Sequence, residues 1–532
     1  FIEVCHKIFS IPYKSNKGRY MADSIKRALF SVDNFENIIY LAQSLHDIGW
    51  KIIASAETVE RLRSHGIAAE NVADFMEVRE KYDFPPTLHP KMETALTMDP
   101  LYRIDLVYDI PYPLSKGNDV GGRTLLALGA KGNRIVTFCP GDLELVIEEL
   151  VKDPTNSCIP ESLRSHLIDK AHAQIAKHYL TLARRNGKSD YDGLLGHSTL
   201  ALLNGENPYQ VPSDLFSLED EDLLSAAQWE SLNPEAPCFT NLADIDSILQ
   251  TLCLAAEAFR LQSNRVPYIA IAAKHGNACG MAVDWETPQK AVSKALMGNP
   301  LAVWGGEFIV NFKVDEEIAN ILLKSVLREE RCGNPYWMLD VIAAPDFDTK
   351  ALEILGKRLS RKLLKNKELL YPKIPDSSWK YRQVRGGFLR QPQANYILDF
   401  SKERDGFHDS YILDSLIVAW SVVFTSSHGG NEVSIAKDRQ LLGVGGGPST
   451  LAAAETAVLR AKEWGHGTVD SIFAADAFFP FTDAPEVLRD TGCRYGVVPI
   501  GGKNESLVKS FFLENSIPVV FIPEQYRGFC RH

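Results

Sequence analysis

The residues best placed to do chemistry are an adjacent lysine and histidine, Lys274 and His275, at the end of an apolar run. The run, 267–273, reads P-Y-I-A-I-A-A, and K-H-G-N-A-C-G occupies 274–280. A short apolar segment of this kind predicts a buried strand, and the Gly/Asn/Cys/Gly stretch behind it predicts a tight loop. An ammonium and an imidazole would then reach a strand end together, where α/β proteins collect their chemistry. A base titrating near neutrality beside a fixed positive charge suits an amine that loses a proton while an oxyanion forms. Taken alone, a K-H dipeptide is most often a solvated surface pair; the strand before this one and the turn behind it set it apart.

The elements that must position the pair follow from hydrophobic periodicity. From Met21 to about Arg185, apolar runs at 28–32, 51–54, 105–110 and 134–138 alternate with helical segments such as 35–48. Strands alternating with helices predict a mostly parallel sheet covered on both faces. Segment 160–185 predicts one long helix, with Leu163, Leu167, Ala171, Ile175 and Tyr179 forming a stripe and His166, His172 and His178 solvated off it. The Gly/Asn/Ser/Asp-rich stretch 185–214 predicts a domain junction. Beyond it a second α/β region runs on, with helices at 351–365 (exposed and basic) and 451–464, and strands at 495–500 and 517–522. The expected domains are 21–195 and 200–532, with 1–20 reading as an extension or upstream read-through rather than part of the fold.

At 532 residues the chain is long enough for two or more cores. A formal charge of -11 argues against general nucleic-acid binding, though not against a local basic pocket. Nine cysteines without a C-x-x-C indicate neither a zinc site nor a disulfide framework, so no metal is expected and reduced thiols in a cytoplasmic protein are the simpler reading. No apolar stretch approaches a membrane span. The expected partners are small molecules, with neither nucleic acid nor membrane among them.

Seven segments share order and approximate spacing with one family. They are K-H-G-N-A-C-G (274–280), N-G-E-N-P-Y-Q (204–210), V-R-G-G-F-L (384–389), A-A-D-A-F-F-P-F (474–481), G-V-G-G-G (443–447), T-L-H-P (87–90), and D-V-G-G (119–122) followed by Lys131. Together they resemble the bifunctional purine-synthesis enzymes that combine AICAR transformylase with IMP cyclohydrolase, and the chain is identified as a divergent member. The resemblance implies an N-terminal methylglyoxal-synthase-like, Rossmann-type α/β domain that closes a formylated intermediate to IMP. It implies a C-terminal pair of cytidine-deaminase-like α/β subdomains without zinc, which moves formyl from 10-formyltetrahydrofolate to the 5-amino group of AICAR. A homodimer in which the partner completes each transformylase site is implied as well.

Residue by residue, the resemblance places Lys274, His275 and Asn431 in catalysis. His275 would shuttle the proton, Lys274 would face the developing tetrahedral oxygen, and Asn431 would hold the imidazole tautomer or the carboxamide. Asn241, Trp304, Asp340 and Asn207 match substrate-binding positions, and Asp476, Phe479, Gly501 and Gly502 match the folate side. Trp304 stands where the family usually has phenylalanine and can still stack on a flat ring. Tyr112, Asp119 and Lys131 remain at cyclohydrolase-type positions. The bland alternatives are a core tryptophan at 304 and a helix cap at Asp476.

Departures sharpen the reading. Leu203 and Asn204 occupy the positions of an Arg-Tyr pair whose arginine holds the nucleotide phosphate, and Thr482 replaces a second phosphate-binding arginine. Lys503, Arg494 and Arg527 are nearby cations that could substitute. In the N-terminal half a glycine-rich phosphate loop has become Ser55-Ala56-Glu57-Thr58, where Glu57 would repel a phosphate. Phe35 replaces a lysine, and 82–86 (Y-D-F-P-P) lacks an arginine and a lysine. The expectation is a transformylase whose cyclohydrolase activity is lost. A formyltransferase acting on an unphosphorylated or different amine, and an inactive scaffold, are the competing readings; joint retention of Lys274, His275, Asn431 and Asp476 argues against the scaffold.

Overall fold

The computed structural model describes residues 25–527 except 34, 36, 79–85, 100, 154–157, 185–189, 219–221, 376–378 and 401–408. The expected extension 1–20 and all but the last residue of the Y-D-F-P-P segment lie outside the described residues. The chain divides into two compact units, 1–195 and 196–532.

In the first unit, β1 (Arg27–Val32), β2 (Lys51–Ala54), β3 (Ala69–Asn71), β4 (Leu106–Ile110) and β5 (Ile135–Thr137) form a parallel sheet in the order β3-β2-β1-β4-β5. Strands covered on both faces read as continuous apolar runs, and Ala28, Leu29 and Phe30 are all buried accordingly. Phe30 and Tyr108 point into one face's core, and Leu29, Ile53 and Val107 into the other's. The helix expected over 35–48 spans Ile38–Asp47. β3, only A-E-N at the sheet edge, carries no apolar signal and was not foreseen. Helix α1 (Val120–Lys131) follows β4, and the long helix α2 spans Glu161–Arg184. His166 and His172 are exposed, as a solvated pair should be, but His178 is buried. Its Nε2 lies 2.9 Å from Asn118 Oδ1 and its Nδ1 3.4 Å from an Arg123 nitrogen, so α2 turns this histidine inward onto α1.

The second unit opens with the hairpin β6 (His197–Ala201) and β7 (Asp214–Ser217), so strand pairing occupies part of the stretch that reads as a junction. After β8 (Glu230–Ser231) comes helix α3 (Phe239–Ser263), then β9 (Tyr268–Lys274) and β10 (Asn277–Asp284). Helix α4 (Pro288–Leu296) leads to β11 (Gly306–Val310), β12 (Leu339–Ala344) and β13 (Lys362–Lys365). The exposed ribbon β14 (Trp379–Val384) and β15 (Gly387–Pro392) precedes a second pass through the same order: α5 (Ser410–Thr425), β16 (Asn431–Lys437), β17 (Gln440–Gly447), α6 (Thr450–Glu463), β18 (Ser471–Ala475), β19 (Cys493–Pro499) and β20 (Val519–Ile522).

Pairing repeats with the order. In the first half β9 is antiparallel to β10 and β11, with β12 and β13 added in parallel; in the second, β16, β17, β18, β19 and β20 repeat those relations. The halves join edge to edge through β10 and β17 into one eleven-stranded sheet. The adjacent helices α3 and α5 cover one face over a continuous core. On the other face the core splits in two, one cluster beneath α4 and one beneath α6.

Two sequence expectations are corrected here. The predicted helix 351–365 ends at Leu355 in a shorter helix, and β13 begins at Lys362. Leu363 and Leu364 point into opposite cores, which a strand requires and a helical stripe does not, and Lys362 is buried against Glu235. The loop expected after Lys274 shrinks to two residues, because β10 starts at Asn277 and pairs back from Lys274. His275 and Gly276 both hold positive φ (53° and 68°), the requirement of the tight primed turns that join antiparallel strands.

Candidate active site

The β9–β10 turn delivers Lys274 and His275 to one wall of a cavity of about 240 Å3. Its remaining walls are Asn277 and Cys279 of β10, Gly298, Asn299 and Ala302 beyond α4, His428, Leu442–Val444 of β17, and Arg460 and Trp464 of α6 and its C-terminus. The space exists because β10 and β17 pair at Ala282–Gln440 and are not paired toward Asn277 and Gly447, while the cores beneath α4 and α6 stay separate. Asn277 ties the two sides: its Oδ1 accepts from the Ser427 N–H at 2.7 Å and its Nδ2 donates to the His275 carbonyl at 3.0 Å.

Lys274 is half-buried and its Nζ donates to the Gly305 carbonyl. Gly305 holds φ 66°, a conformation that favours glycine, and a Cβ there would press on that ammonium at 3.0 Å and touch Asp340 Oδ2 at 3.5 Å. Behind the turn lie two acids, Glu307 buried and Asp244 half-buried. Burial, foremost, raises the Glu307 carboxyl to about 9, with the neighbouring Asp244 acting in the same direction and Lys274 against it. Burial also raises Asp244, opposed by His275 and Lys274. Glu307 is therefore the protonated member of the pair at neutral pH, and the lysine charge is not cancelled by two full carboxylates.

His428 was not singled out from sequence. Its Nδ1 lies 2.8 Å from Glu432 Oε2, its backbone N–H donates to Oε1 of the same carboxylate, and the Ser426 hydroxyl donates to Oε2. Glu432 is almost fully buried, so three donors replace the water it loses. With Nδ1 engaged, Nε2 is the nitrogen left for the cavity, the usual consequence of a carboxylate fixing one side of an imidazole. Gly446 makes room for this loop, since a Cβ there would meet His428 at 2.6 Å. Arg460 donates from Nη1 to the Val444 carbonyl at 2.6 Å.

The remaining sequence candidates distribute as follows. Asn431 starts β16 and its Nδ2 reaches toward the Gly447 carbonyl at 3.4 Å; it does not line the cavity. Asn241 accepts the Cys238 N–H at 3.1 Å and so closes the N-terminus of α3. Trp304 is half-exposed with the Arg328 guanidinium 5.3 Å over its ring, not a core residue. Asp340 pairs with Arg358 at 2.8 Å. Asn207 binds Gln210 within an exposed turn.

On the folate-type side, Asp476 is buried with Oδ1 accepting the Glu432 N–H at 2.8 Å, and burial raises its carboxyl to about 8. Phe479 is packed against Phe473 and Phe512 in the core under α6. Gly501 and Gly502 hold positive φ against the Phe478 ring. Leu203 is exposed, and the Thr482 hydroxyl donates to Glu486. Of the substitute cations, Arg494 and Arg527 are paired with Asp470 and Glu524, and Lys503 is exposed.

In the first unit, Tyr112 donates to the Asn118 carbonyl at 3.1 Å and Asp119 caps α1 by accepting the Gly122 N–H at 2.8 Å. Lys131 lies at the other end of α1, paired with Glu93, roughly 18 Å along the axis from Asp119. Glu57 sits in the first turn of the helix that follows Ser55. Buried Asp109, raised to about 7 chiefly by desolvation, faces Asp119 and Arg123.

Sequence reasoning missed His428, Glu432, Arg460, Trp464, Asp244 and Glu307. The i, i+4 spacing of His428 with Glu432 was readable, as was that of Arg460 with Trp464. Asp244 and Glu307 meet only through the packing of α3 on β11, which no local pattern announces.

Among the described residues no cluster of His, Cys, Asp or Glu is placed to hold a metal ion, and no helix is long and apolar enough to cross a membrane. A family model described as "AICARFT/IMPCHase bienzyme" matches residues 132–460. The chain is 28% identical to a "Bifunctional purine biosynthesis protein PurH" of Persephonella marina, over 93% of this chain and 98% of that protein. It is also 28% identical to one of Caldicellulosiruptor saccharolyticus, over 90% and 94% respectively. A solved structure titled "Crystal structure of ForH" is 27% identical and covers 29% of this chain and 95% of its own; its TM-score of 0.27 carries no structural argument.

Proposed function

Because the chain belongs to the AICARFT/IMPCHase bienzyme family, as a divergent member, we propose that its second unit is a folate-dependent formyltransferase. Formyl would pass from 10-formyltetrahydrofolate to the 5-amino group of AICAR in IMP synthesis, and the first unit would have lost cyclohydrolase activity. The observation that carries this reading is the convergence of Lys274 and His275 on one cavity through a two-residue turn. In the reaction the amine nitrogen attacks the formyl carbon, the bond from that carbon to N10 of the folate breaks, and the amine's proton ends on N10.

The aromatic amine is a poor nucleophile, so proton removal and oxyanion stabilisation must come from the protein. His275 is the proposed proton shuttle, and the Lys274 ammonium, anchored by one donor to Gly305, has two more N–H groups for the tetrahedral oxygen. Asn431, Asn241, Trp304, Asp340 and Asn207 are proposed on the acceptor side. Asp476, which favours its protonated form near neutrality, is proposed as a hydrogen-bond donor on the folate side with Phe479, Gly501 and Gly502. The units would correspond to a methylglyoxal-synthase-like domain and two cytidine-deaminase-like subdomains, the duplicated strand order supporting the latter. A cytoplasmic homodimer is part of the proposal.

Leu203 and Thr482 favour a second reading, an acceptor without a phosphate at those positions. Substituting His275→Asn tests the reaction: asparagine tolerates the left-handed backbone of the turn, so the fold survives while the base is removed. Formyl transfer to AICAR should fall by roughly 100-fold or more. An unchanged rate would reject the assignment. The same assay supplied with the formylated intermediate should yield no IMP, for Glu57 puts a carboxylate in the first turn of the helix after Ser55, where the resemblance places the phosphate loop.

A further inference from the structure

We propose that the cavity between α4 and α6 holds an oxyanion, with Arg460 and His428 as its binding residues, so that the ligand is a flat ring carrying a phosphate or carboxylate. The inference rests on the reading of this cavity as the formyl-transfer site and names what the site recognises. Two fixed cations, Lys274 and Arg460, and two imidazoles, His275 and His428, line the cavity, and among the described residues no carboxylate does. In a chain with 68 acidic residues against 57 basic ones, a lining of cations whose nearest carboxylates, Asp244 and Glu432, stand behind it favours an anionic ligand.

Each binding group is held by a partner that leaves donors unspent. Arg460 gives Nη1 to the Val444 carbonyl, a neutral acceptor that orients the guanidinium without cancelling its charge. His428 gives its Nδ1 side to Glu432, which fixes the ring and leaves Nε2 to face the cavity. Asn299 accepts the Ala302 N–H through Oδ1 at 3.1 Å, which leaves its amide NH2 as a further donor on the wall. The Trp464 indole N–H is buried without an acceptor among the described residues, and its ring supplies a flat apolar side to the cavity. At about 30 Å3 per water in the liquid, the 240 Å3 cavity equals roughly eight waters, more than a lone oxyanion needs and enough for an oxyanion with an adjoining ring.

The location of Arg460 in the last turn of α6 suits the helix dipole and explains its charge but not its aim. A solvated C-terminal arginine would extend outward; this one turns onto β17 and forms part of the cavity wall. Arg presents a planar fork suited to two oxygens of one anion, and charge-assisted bonds of this type are the strong ones.

Two oxyanions could supply this chemistry, the phosphate of the acceptor and the glutamate carboxylates of the folate, and calorimetric titration of the full-length chain separates them. The probes are AICAR against its unphosphorylated riboside, and folic acid against pteroic acid, for wild type and Arg460→Gln. If the acceptor phosphate sits here, the variant binds AICAR about tenfold or more weakly and the riboside unchanged, the loss expected for one charged hydrogen bond. If the folate tail does, the same loss appears for folic acid and not for pteroic acid. Equal effects on both members of each pair, or none, overturn the proposal. Inorganic phosphate should compete with the weakened ligand in wild type, an arm that needs no variant to fold; failure to compete with either anion likewise overturns it. Formyl transfer scored in the same preparations keeps the two ideas apart. Transfer with no anion discrimination by Arg460 refutes the oxyanion site alone, whereas discrimination without transfer supports the site and refutes the reaction.

Discussion

Gly445→Ala tests whether the closeness of α6 to β17 is what shapes the cavity. Gly445 pairs with Val433 in the sheet and faces the helix; a Cβ there would lie 2.4 Å from the Ala453 carbonyl oxygen and 2.5 Å from the Ala457 nitrogen. Both are main-chain atoms of a helix packed along its whole length, so no side chain can swing aside. Reaching 3.4 Å, the near edge of ordinary contact, requires α6 to retreat by about 1 Å. Overpacking of this kind costs about 1–3 kcal/mol. The same displacement moves Arg460 and Trp464 away from Lys274 and His275, and an error of about 1 Å in a reacting geometry costs on the order of 100-fold in rate. Gly467→Ala is the control, since its Cβ would meet nothing within 4 Å. The assay is thermal unfolding beside formyl transfer to AICAR, both variants against wild type. Should Gly445→Ala match Gly467→Ala in melting temperature and rate, the claim that helix–sheet approach sets the cavity is refuted.

Two further outcomes follow. Glu432→Gln keeps the shape but removes the charge that orients His428; transfer should drop by roughly tenfold, and a rate identical to wild type would count against any role for the dyad. Glu307 holds its proton to about pH 9 in the fold and to about 4.5 when unfolded, so its contribution to stability is complete below the lower value and is lost as pH rises through the higher one. Wild-type melting temperature should therefore decline from pH 5 to pH 9 more steeply than that of Glu307→Gln, measured by calorimetry, and parallel curves would show that the carboxyl is ionised in the native protein.

How much of this was legible in the sequence depended on the range of the interaction. β2 and the helices α2 and α6 come within a residue or two of their predicted bounds, because apolar periodicity reports burial directly. β13 failed because a strand that feeds two different cores alternates faces over only four residues, too few to overrule the helical spacing around it. Lys274 and His275 were visible because chain neighbours stay neighbours. Asp244, Glu307 and Arg460 were not, for each reaches the site through an element whose placement is decided by the whole sheet. His178 shows the same limit in the first unit: the stripe on α2 located one buried face, while Asn118 and Arg123 on a separate segment made a second position interior.

The duplicated order of the second unit sets two equivalent hairpins side by side, and chemistry is expected at one and not at its counterpart. The β16–β17 turn is built like the β9–β10 turn: Asp438 and Arg439 also hold positive φ, 49° and 66°, between the paired residues Lys437 and Gln440. There the turn's cation is spent. Arg439 donates from Nε to Asp414 at 2.7 Å, its guanidinium lies 3.9 Å over the Tyr411 ring, and Trp285 donates to the same carboxylate at 2.8 Å. At the first turn, His275 is exposed and lines the cavity, Lys274 donates to a neutral carbonyl and forms no ion pair among the described residues, and Glu307 is held protonated rather than paired as a carboxylate. A paired, stacked guanidinium has no free valence for a substrate and cannot exchange a proton near neutrality. Two turns of one geometry thus hold their charge differently: Arg439 is paired and stacked inside the protein, whereas Lys274 and His275 have Asp244 behind them and border open space.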